Sequence, residues 1–284
     1  MLLANVDQRL ALVSPDGQRY IDVERASEGQ FSSAPQEVYE RWQEFRSFAR
    51  DVPLDGGEPL AREDLGSPAP LPRQVFAIGL NYRDHASETN SAIPEVPLVF
   101  TKFASSLGGP DVEVEHPGGS LDWEVELVVV VGERAHRIAP EDAWSHVAGV
   151  TVGQDFSERV LQHSGVPPQF SLGKSYPNFG PMGPWLVTTD ELADPDDLEI
   201  GCLLNDQQVQ KARTSDMIFS VPQLISRLSA VTPLLPGDVI FTGTPAGVGL
   251  GANPPRFLSV ADRVISYVEG VGEIRNTIVA QATA

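Results

Sequence analysis

The chain has 284 residues, of which 41% are hydrophobic and 21% are charged, as expected for a folded globular protein. Its formal net charge of −19 argues against a nucleic-acid backbone or an anionic membrane as partner. A small anionic substrate would need only a local positive centre, such as a metal ion, a lysine or an arginine.

The protein is expected to be cytoplasmic. Cys202 is its single cysteine, which excludes an internal disulfide framework and suits a reducing compartment. The first residues lack a basic region followed by a long apolar stretch, so no signal peptide is predicted. No apolar run approaches the roughly 20 residues that a membrane-spanning helix needs.

The beginning of the chain predicts a small N-terminal domain. Leu10–Val13 and Tyr20–Val23 flank a Ser-Pro-Asp-Gly sequence that is typical of a hairpin turn. A helix is expected next, capped by Ser33 and carrying large apolar side chains at helical spacing. Stretches rich in proline and glycine follow and end near Pro72. We therefore divide the chain into a small domain, residues 1–70, and a larger domain, residues 71–284.

The larger domain predicts short strands separated by long connections. The predicted strands are Val75–Ile78, Leu98–Lys102, Leu127–Val131, Val147–Gly153, Trp185–Val187, Ile200–Asn205, Val239–Thr242, Val264–Val268 and Ile274–Val279. A loop over Gly79–His85 is predicted to lead into a short polar helix, and further short helices are predicted after Pro140, Asp155 and Ser220. These elements indicate a mixed α/β fold that is mainly β, with helices at its margins.

Two glutamates stand two residues apart at the start of the most apolar run in the chain. Because side chains alternate along a strand, Glu124 and Glu126 share one face, while Trp123, Val125 and Leu127 take the other. Two buried anions side by side are costly unless a positive charge lies between them, and a divalent cation is the simplest such charge.

The same spacing occurs at Glu113 and Glu115, and most Glu-x-Glu strands are simply solvated. Context separates the two pairs of glutamates. The later pair runs into five apolar residues, whereas Glu113 and Glu115 lie between stretches of glycine and proline. That setting predicts a short exposed hairpin arm for the earlier pair.

A series of glycines near the C-terminus does not form a nucleotide-binding loop. The series comprises Gly243, Gly247, Gly249 and Gly251. No phosphate-binding motif is present, and the Asn-Pro-Pro sequence from Asn253 would block the helix that such a loop requires.

The larger domain contains five ordered motifs: Gly79–His85, Asp122–Leu127, Gln154–Arg159, Gly183–Trp185 and Pro236–Pro245. In order and spacing they resemble the fumarylacetoacetate hydrolase superfamily, in its smaller branch of acylpyruvases, oxaloacetate decarboxylases and isomerases, over roughly residues 75 to 279. It implies a β-sandwich roll, a homodimer, and a divalent metal, Mg²⁺ or Mn²⁺ with Ca²⁺ as a third choice.

Three carboxylates match the metal ligands of that superfamily: Glu124, Glu126 and Asp155. Three hard oxygen donors without a cysteine suit magnesium, manganese or calcium and argue against structural zinc. Asp122 lies on the same strand face as the two glutamates. We interpret it as a solvated group or a neighbour of the ligands, not as a ligand.

The resemblance also implies a catalytic set. By spacing alone, His85 and Glu88 are best explained as parts of an exposed, flexible polar loop. The resemblance instead implies a water-activating dyad, in which Glu88 orients His85 and the loop closes as a lid. Lys174 matches a lysine that stabilises negative charge on the substrate, although Pro177 stands where the superfamily usually has an acid.

Three further residues match positions that contact the substrate. Arg159 and Gln162 do so although Val160 stands where an aspartate commonly follows the arginine. From the sequence alone, a solvated helix face is the alternative for Arg159 and Gln162. Thr244 matches a residue that binds the substrate carboxylate.

The implied function is that of a metal-dependent hydrolase that cleaves a carbon–carbon bond in acylpyruvate-type 2-oxo acids. The alternatives within the superfamily are isomerisation or decarboxylation of 2-hydroxyhepta-2,4-diene-1,7-dioate and decarboxylation of oxaloacetate. A non-catalytic metal-binding β protein is the alternative of a different class. The expected partner is an anionic small molecule, with neither nucleic acid nor membrane.

Overall fold

A computed structural model describes residues 1–282 of the chain. Its strands are β1 (Leu2–Val6), β2 (Arg9–Val13), β3 (Arg19–Asp22), β4 (Glu58–Pro59), β5 (Leu65–Gly66), β6 (Val75–Gly79), β7 (Leu98–Thr101), β8 (Leu107–Gly108), β9 (Glu113–Glu115), β10 (Leu121–Asp122), β11 (Val125–Val131), β12 (Val147–Gln154), β13 (Ser157–Glu158), β14 (Gly180–Val187), β15 (Glu199–Leu204), β16 (Gln207–Arg213), β17 (Val239–Phe241), β18 (Arg263–Val268) and β19 (Gly272–Val279). The α-helices are α1 (Val23–Ala26), α2 (Trp42–Ala49), α3 (Arg83–Glu88), α4 (Arg159–Gln162) and α5 (Val221–Val231).

Two sheets form the body of the molecule. The larger has the strand order β4-β3-β2-β1-β14-β12-β11-β17-β6-β7, with β5 and β8 attached beside this path. The smaller has the order β16-β15-β18-β19-β9, and β10 pairs separately with β13. Strands dominate and the helices are short, so the predicted mixed, mainly β fold is confirmed.

Strand β11 is buried on both faces, which explains its almost continuous run of β-branched residues. On one face, Val125 and Leu127 pack into the main hydrophobic core. On the other, Val128 and Val130 pack into a second core that includes aromatic residues of the N-terminal segment. The face that carries Glu126 therefore continues into this second core.

The N-terminal segment extends the larger sheet. Strand β1, which we did not predict, pairs antiparallel with β14, and β2 and β3 form the predicted hairpin beside it. Strand pairing therefore joins residues 1–70 to residues 71–284, and the domain boundary between them stays a prediction.

The predicted N-terminal helix forms in two parts, a 3-10 turn over Pro35–Arg41 and then α2, which begins at Trp42. Ser33 does not cap it. The residue before the turn is Ala34, whose methyl group cannot accept a hydrogen bond. Trp42 and Phe45 are buried, as the helical spacing predicted.

Helix α5 begins as predicted, directly after Ser220. The Gln223 side chain accepts a hydrogen bond from the Ser220 backbone N–H at 3.0 Å, which satisfies a donor at the helix start. Leu224, Ile225 and Leu228 are buried on its inner face. Within residues 1–282, no helix is long and apolar enough to cross a membrane.

The prediction that Glu113 and Glu115 form a hairpin arm is wrong, although the prediction that they are exposed is correct. These residues belong to β9, which pairs in parallel with β19 at the edge of the smaller sheet. Both glutamates are exposed, as expected. Val114 between them is fully buried, and this apolar contact anchors the strand to the sheet.

Candidate active site

Three buried carboxylates meet where β11 and β12 lie side by side. These strands pair antiparallel with Val125 opposite Gln154, so Glu124, just before β11, lies beside Asp155, just after β12. The Asp155 backbone N–H donates a hydrogen bond to the Glu124 carbonyl at 2.9 Å. Glu126 joins them from within β11, and one oxygen from each carboxylate lies within 4.8 Å of the others. Such a set of hard oxygen donors fits Mg²⁺, Mn²⁺ or Ca²⁺.

Buried cationic side chains surround these carboxylates. The Lys174 ammonium lies 2.6 Å from Glu124 Oε2 and 2.7 Å from Asp155 Oδ2. Lys102 contacts Asp155 Oδ1 at 2.6 Å, and the Arg159 guanidinium contacts Glu124 Oε1 at 2.7 Å. These contacts offset the cost of burying so much negative charge.

The pKa values of Glu124 and Glu126 are shifted in opposite directions. Burial alone would raise the pKa of Glu124, but the charges of Lys174 and Arg159 outweigh it and lower the pKa to about 2. Burial raises the pKa of Glu126 well above its usual range, and the negative charges of Asp155 and Glu124 raise it further. The Gly243 backbone N–H donates to Glu126 at 2.7 Å. Protons and metal ions therefore compete for Glu126.

His85 and Glu88 lie on helix α3, beside the carboxylates. His85 is buried, which differs from the exposed loop that spacing alone indicates. Its Nδ1 lies 3.4 Å from Glu88 Oε2, a long contact that nonetheless orients the ring. Glu88 also accepts the Gly247 backbone N–H at 3.0 and 3.1 Å, so its position is fixed from two sides.

Asp122 is fully buried, so the solvated interpretation is wrong. Its carboxylate accepts a hydrogen bond from Arg159 Nε at 2.8 Å. It also accepts the backbone N–H groups of Gly249 and Leu250 at 2.7 and 2.9 Å. A Cβ on Gly249 would lie 1.9 Å from the Arg256 carbonyl, which explains the glycine. The glycine-rich loop thus packs between Asp122 and Glu88.

The predicted site residues converge on one cavity of about 180 Å³. Those that line it are His85, Glu124, Arg159, Gln162, Lys174 and Thr244. The remaining lining is mostly apolar, including Ile78, Leu80, Phe100, Phe170 and Leu250, and also contains the polar residues Thr89, Ser91 and His163. Glu88 and Asp155 are not in the lining but contact His85 and Lys174, which are. Glu126 is also outside the lining, with a carboxylate oxygen within 4.8 Å of one on Glu124. The cavity therefore combines charged and polar side chains with a larger apolar surface.

A model of the C-terminal domain of fumarylacetoacetate (FAA) hydrolase matches residues 74–279, which is most of the chain. The chain belongs to this family. Human oxaloacetate tautomerase FAHD2A, mitochondrial, is 43% identical over 238 residues, which cover 82% of this chain and 74% of that protein. These matches confirm the resemblance drawn from the five motifs, and family members are enzymes.

Solved structures of the family have the same fold. A putative HpcE protein from Mycobacterium smegmatis is 53% identical, with a TM-score of 0.95 over 99% of this chain and 100% of that one. Maleylpyruvate hydrolase from Sphingobium sp. SYK-6, in complex with manganese(II) and pyruvate, is 29% identical, with a TM-score of 0.80 over 99% and 100%. That neighbour binds a divalent metal, and the three buried carboxylates of this chain form a group that could hold one.

The departures from the family pattern leave the site intact. Lys174 ends a 3-10 turn and is held by Glu124 and Asp155, so the acid replaced by Pro177 is not needed to position it. Val160 is 64% exposed and stands outside the cavity lining.

Lys102 is a site residue that the sequence analysis missed. It follows β7 directly, is 3% exposed, and contacts Asp155 and the Lys174 carbonyl. A lysine at the end of an apolar strand, in a chain with 39 acidic and 20 basic residues, was the available signal. Its partners lie more than 50 residues away in the sequence, so spacing could not identify them.

We expect the affinity for Mn²⁺ to rise with pH across the range in which Glu126 loses its proton, which lies above the usual range of a glutamate carboxyl. The raised pKa of Glu126 keeps a proton on a group that must be ionised to bind metal, so binding releases that proton. Isothermal titration calorimetry in two buffers of different ionisation enthalpy measures the release. Glu126→Gln should bind Mn²⁺ weakly and release fewer protons on binding. The exposed control Glu113→Gln should match the wild type in both measurements. An affinity independent of pH, without proton release, would contradict this assignment.

Proposed function

We propose that the protein is a divalent-metal-dependent enzyme acting on short 2-oxo acids, and that its main reaction is keto–enol tautomerisation of oxaloacetate. The observation that carries the proposal is the small cavity, in which a histidine faces a buried, cation-rich carboxylate centre. Relatives at 42–44% identity that are named oxaloacetate tautomerases support this choice of substrate.

The size of the cavity favours a short substrate. Its volume of about 180 Å³ is below the roughly 300 to 1,000 Å³ typical of sites for drug-sized ligands. A four-carbon diacid suits that space, whereas a long acyl chain would require helix α3 to move. Substrate length therefore distinguishes oxaloacetate from the larger acylpyruvates.

In the proposed mechanism, Glu124, Glu126 and Asp155 would hold Mg²⁺ or Mn²⁺, which supplies Lewis-acid stabilisation of negative charge on the 2-oxo oxygen. Thr244 receives the adjacent carboxylate. His85, with Nδ1–H donated to Glu88, keeps a lone pair on Nε2.

Tautomerisation then requires the transfer of one proton. His85 Nε2 accepts a proton from C3 of the substrate, and the electron pair of the broken C–H bond forms the C2=C3 double bond. The π electrons of the C2=O bond move onto the oxygen, which then accepts the same proton from His85 Nε2, so the enol forms and the neutral imidazole is regenerated. The Lys174 ammonium, held beside Glu124 and Asp155, adds a positive charge next to the developing oxyanion.

Hydrolysis of acylpyruvates is the second candidate. The His85–Glu88 pair favours it, because the same base can remove a proton from a water molecule that attacks a distal carbonyl. The structural likeness to a maleylpyruvate hydrolase supports it as well. Decarboxylation of oxaloacetate and isomerisation of a dienoic diacid depend on the same stabilisation of negative charge. The substrate screen described next therefore includes both reactions.

The test is a substrate screen of purified protein with Mg²⁺ or Mn²⁺ and with a chelator. The panel comprises oxaloacetate, a short and a long acylpyruvate, and a dienoic diacid. We expect loss of the oxaloacetate enol absorbance to be fastest and to stop with the chelator. Faster cleavage of the acylpyruvates would favour hydrolysis, and no turnover of any compound would favour a non-catalytic metal-binding protein.

We also propose a homodimer in the cytoplasm. Strand β7 ends the larger sheet, and Leu98, Val99 and Phe103 on or beside it are 41%, 43% and 53% exposed. A second copy that covers this edge would remove apolar surface from water. Sedimentation at micromolar concentration tests the assembly, and a monomer would contradict it.

A further inference from the structure

Gln210 lies on β16, outside every motif that the sequence analysis used, yet its side chain reaches the cavity wall. It is 1% exposed. Its Nε2 donates hydrogen bonds to Thr244 Oγ1 and to the Pro245 carbonyl, both at 2.8 Å. Its Oε1 accepts the backbone N–H of Val125 at 3.0 Å. One buried amide thus joins the Thr244 turn to the strand that carries the carboxylates.

The orientation of this amide is fixed by its partners. The Val125 N–H can only donate, so the atom facing it must be the oxygen of Gln210. The Pro245 carbonyl can only accept, so the atom facing it must be the nitrogen. The group facing Thr244 is therefore a donor, and the Thr244 hydroxyl must accept from it.

This constraint determines what the Thr244 hydroxyl offers to a ligand. A hydroxyl has one hydrogen, and here one lone pair is already occupied by Gln210. Within residues 1–282, the Thr244 hydroxyl donates to no protein acceptor, and Thr244 lines the cavity. Its hydrogen is thus available to a ligand in the cavity, which suits an anionic oxygen.

We propose that Gln210 is a positioning residue that makes Thr244 a donor to the substrate carboxylate. The inference rests on the proposed function, in which Thr244 receives that carboxylate. Because Val125 lies between Glu124 and Glu126, the same amide sets the spacing between this donor and the metal ligands. The site is thereby selective for a free carboxylate next to the 2-oxo group, over the corresponding ester.

The test measures pyruvate binding to Mn²⁺-loaded protein by calorimetry, which does not depend on turnover. Gln210→Met keeps the side-chain length and removes the amide. We expect its Kd for pyruvate to rise by about tenfold or more, as for the loss of a hydrogen bond to a charged group. Its affinity for Mn²⁺ should stay within about twofold of the wild type. Gln207→Met, at an exposed position on the same strand, should change neither value.

Two further variants separate positioning from packing. Gln210→Glu nearly preserves the shape but turns the group facing Thr244 into an acceptor, so its Kd should rise more than that of Gln210→Met. In a Thr244→Val background, Gln210→Met should add little, because the hydroxyl that it orients is already gone. A packing role alone would predict a milder effect for Gln210→Glu and additive effects with Thr244→Val.

The proposal and the proposed function fail in different ways. Inactivity towards all tested substrates, combined with the expected series of Kd values, would reject the function and keep the role of Gln210. An unchanged Kd for pyruvate in Gln210→Met, additive effects with Thr244→Val, or no pyruvate binding to the wild type would overturn the role of Gln210.

Discussion

Replacing Glu126 by alanine is expected to lower turnover by on the order of a thousandfold or more. The lost carboxylate is one of three that converge on the candidate metal position, and a bound metal ion is worth several kcal/mol of transition-state stabilisation. Glu124→Ala and Asp155→Ala should have comparable effects. Each variant should also bind Mn²⁺ more weakly by calorimetry.

The chain supplies its own control for this experiment. Glu113→Ala removes a glutamate with the same Glu-x-Glu spacing from an exposed strand, and it should leave both turnover and Mn²⁺ binding unchanged. Undiminished metal binding in all three site variants would show that the carboxylates do not hold the metal.

Thermal unfolding gives an independent measure of the same site. Metal that binds only the native state should raise the Tm of the wild type, because binding removes native protein from the unfolding equilibrium. The increment should shrink in Glu126→Gln, in which a neutral amide replaces the carboxylate. An equal Mg²⁺-induced shift in both proteins would count against the site.

The carboxylate pair was predictable because its signal is local. An alternation of two residues, followed by a β-branched run, indicates a buried strand with acids on one face, and β11 confirms that strand. The matching pattern at Glu113 differs only in its surroundings, which correctly predicted its exposure. Asp155 has no such local signal. It meets Glu124 through the pairing of β11 with β12, and only the family resemblance indicated it beforehand.

The parts of the site that escaped prediction are those formed by tertiary contacts. Lys102 and Gln210 belong to different sheets, at the end of β7 and on β16, and neither lies in a recognisable motif. Their roles follow from partners 53 and 34 residues away. Gln210 is also difficult to recognise because its strand is mostly polar, and Gln207, Gln208 and Lys211 are exposed. Long-range hydrogen bonds of this kind produce no periodic pattern in the sequence from which they could be predicted.

Asp122 shows why burial is difficult to predict for a single polar residue. On a strand face beside two other acids, solvation is the simpler expectation. The structure instead pairs its carboxylate with Arg159 and with two backbone N–H groups of the glycine-rich loop. The loop explains the burial and also the need for glycine at position 249, whereas the sequence established only that these glycines form no nucleotide-binding loop.

His85→Ala is expected to lower both oxaloacetate tautomerisation and acylpyruvate hydrolysis by roughly a hundredfold or more, the usual contribution of a positioned general base. The imidazole contacts Glu88 and lines the cavity, but it does not belong to the group of three carboxylates that could hold the metal. Calorimetry should therefore show Mn²⁺ affinity close to that of the wild type. His136→Ala, at an exposed position, should leave every value unchanged.

The reactions should also respond differently to the loss of this base. Tautomerisation requires a proton to leave C3, and hydrolysis requires a water molecule to lose one, so both depend on His85. Decarboxylation of oxaloacetate needs only that the negative charge left by CO₂ be stabilised, and it should decline less. Measuring the three rates in wild type and His85→Ala tests this ranking. Equal losses would place His85 in substrate binding, and unchanged tautomerisation and hydrolysis would remove it from the mechanism.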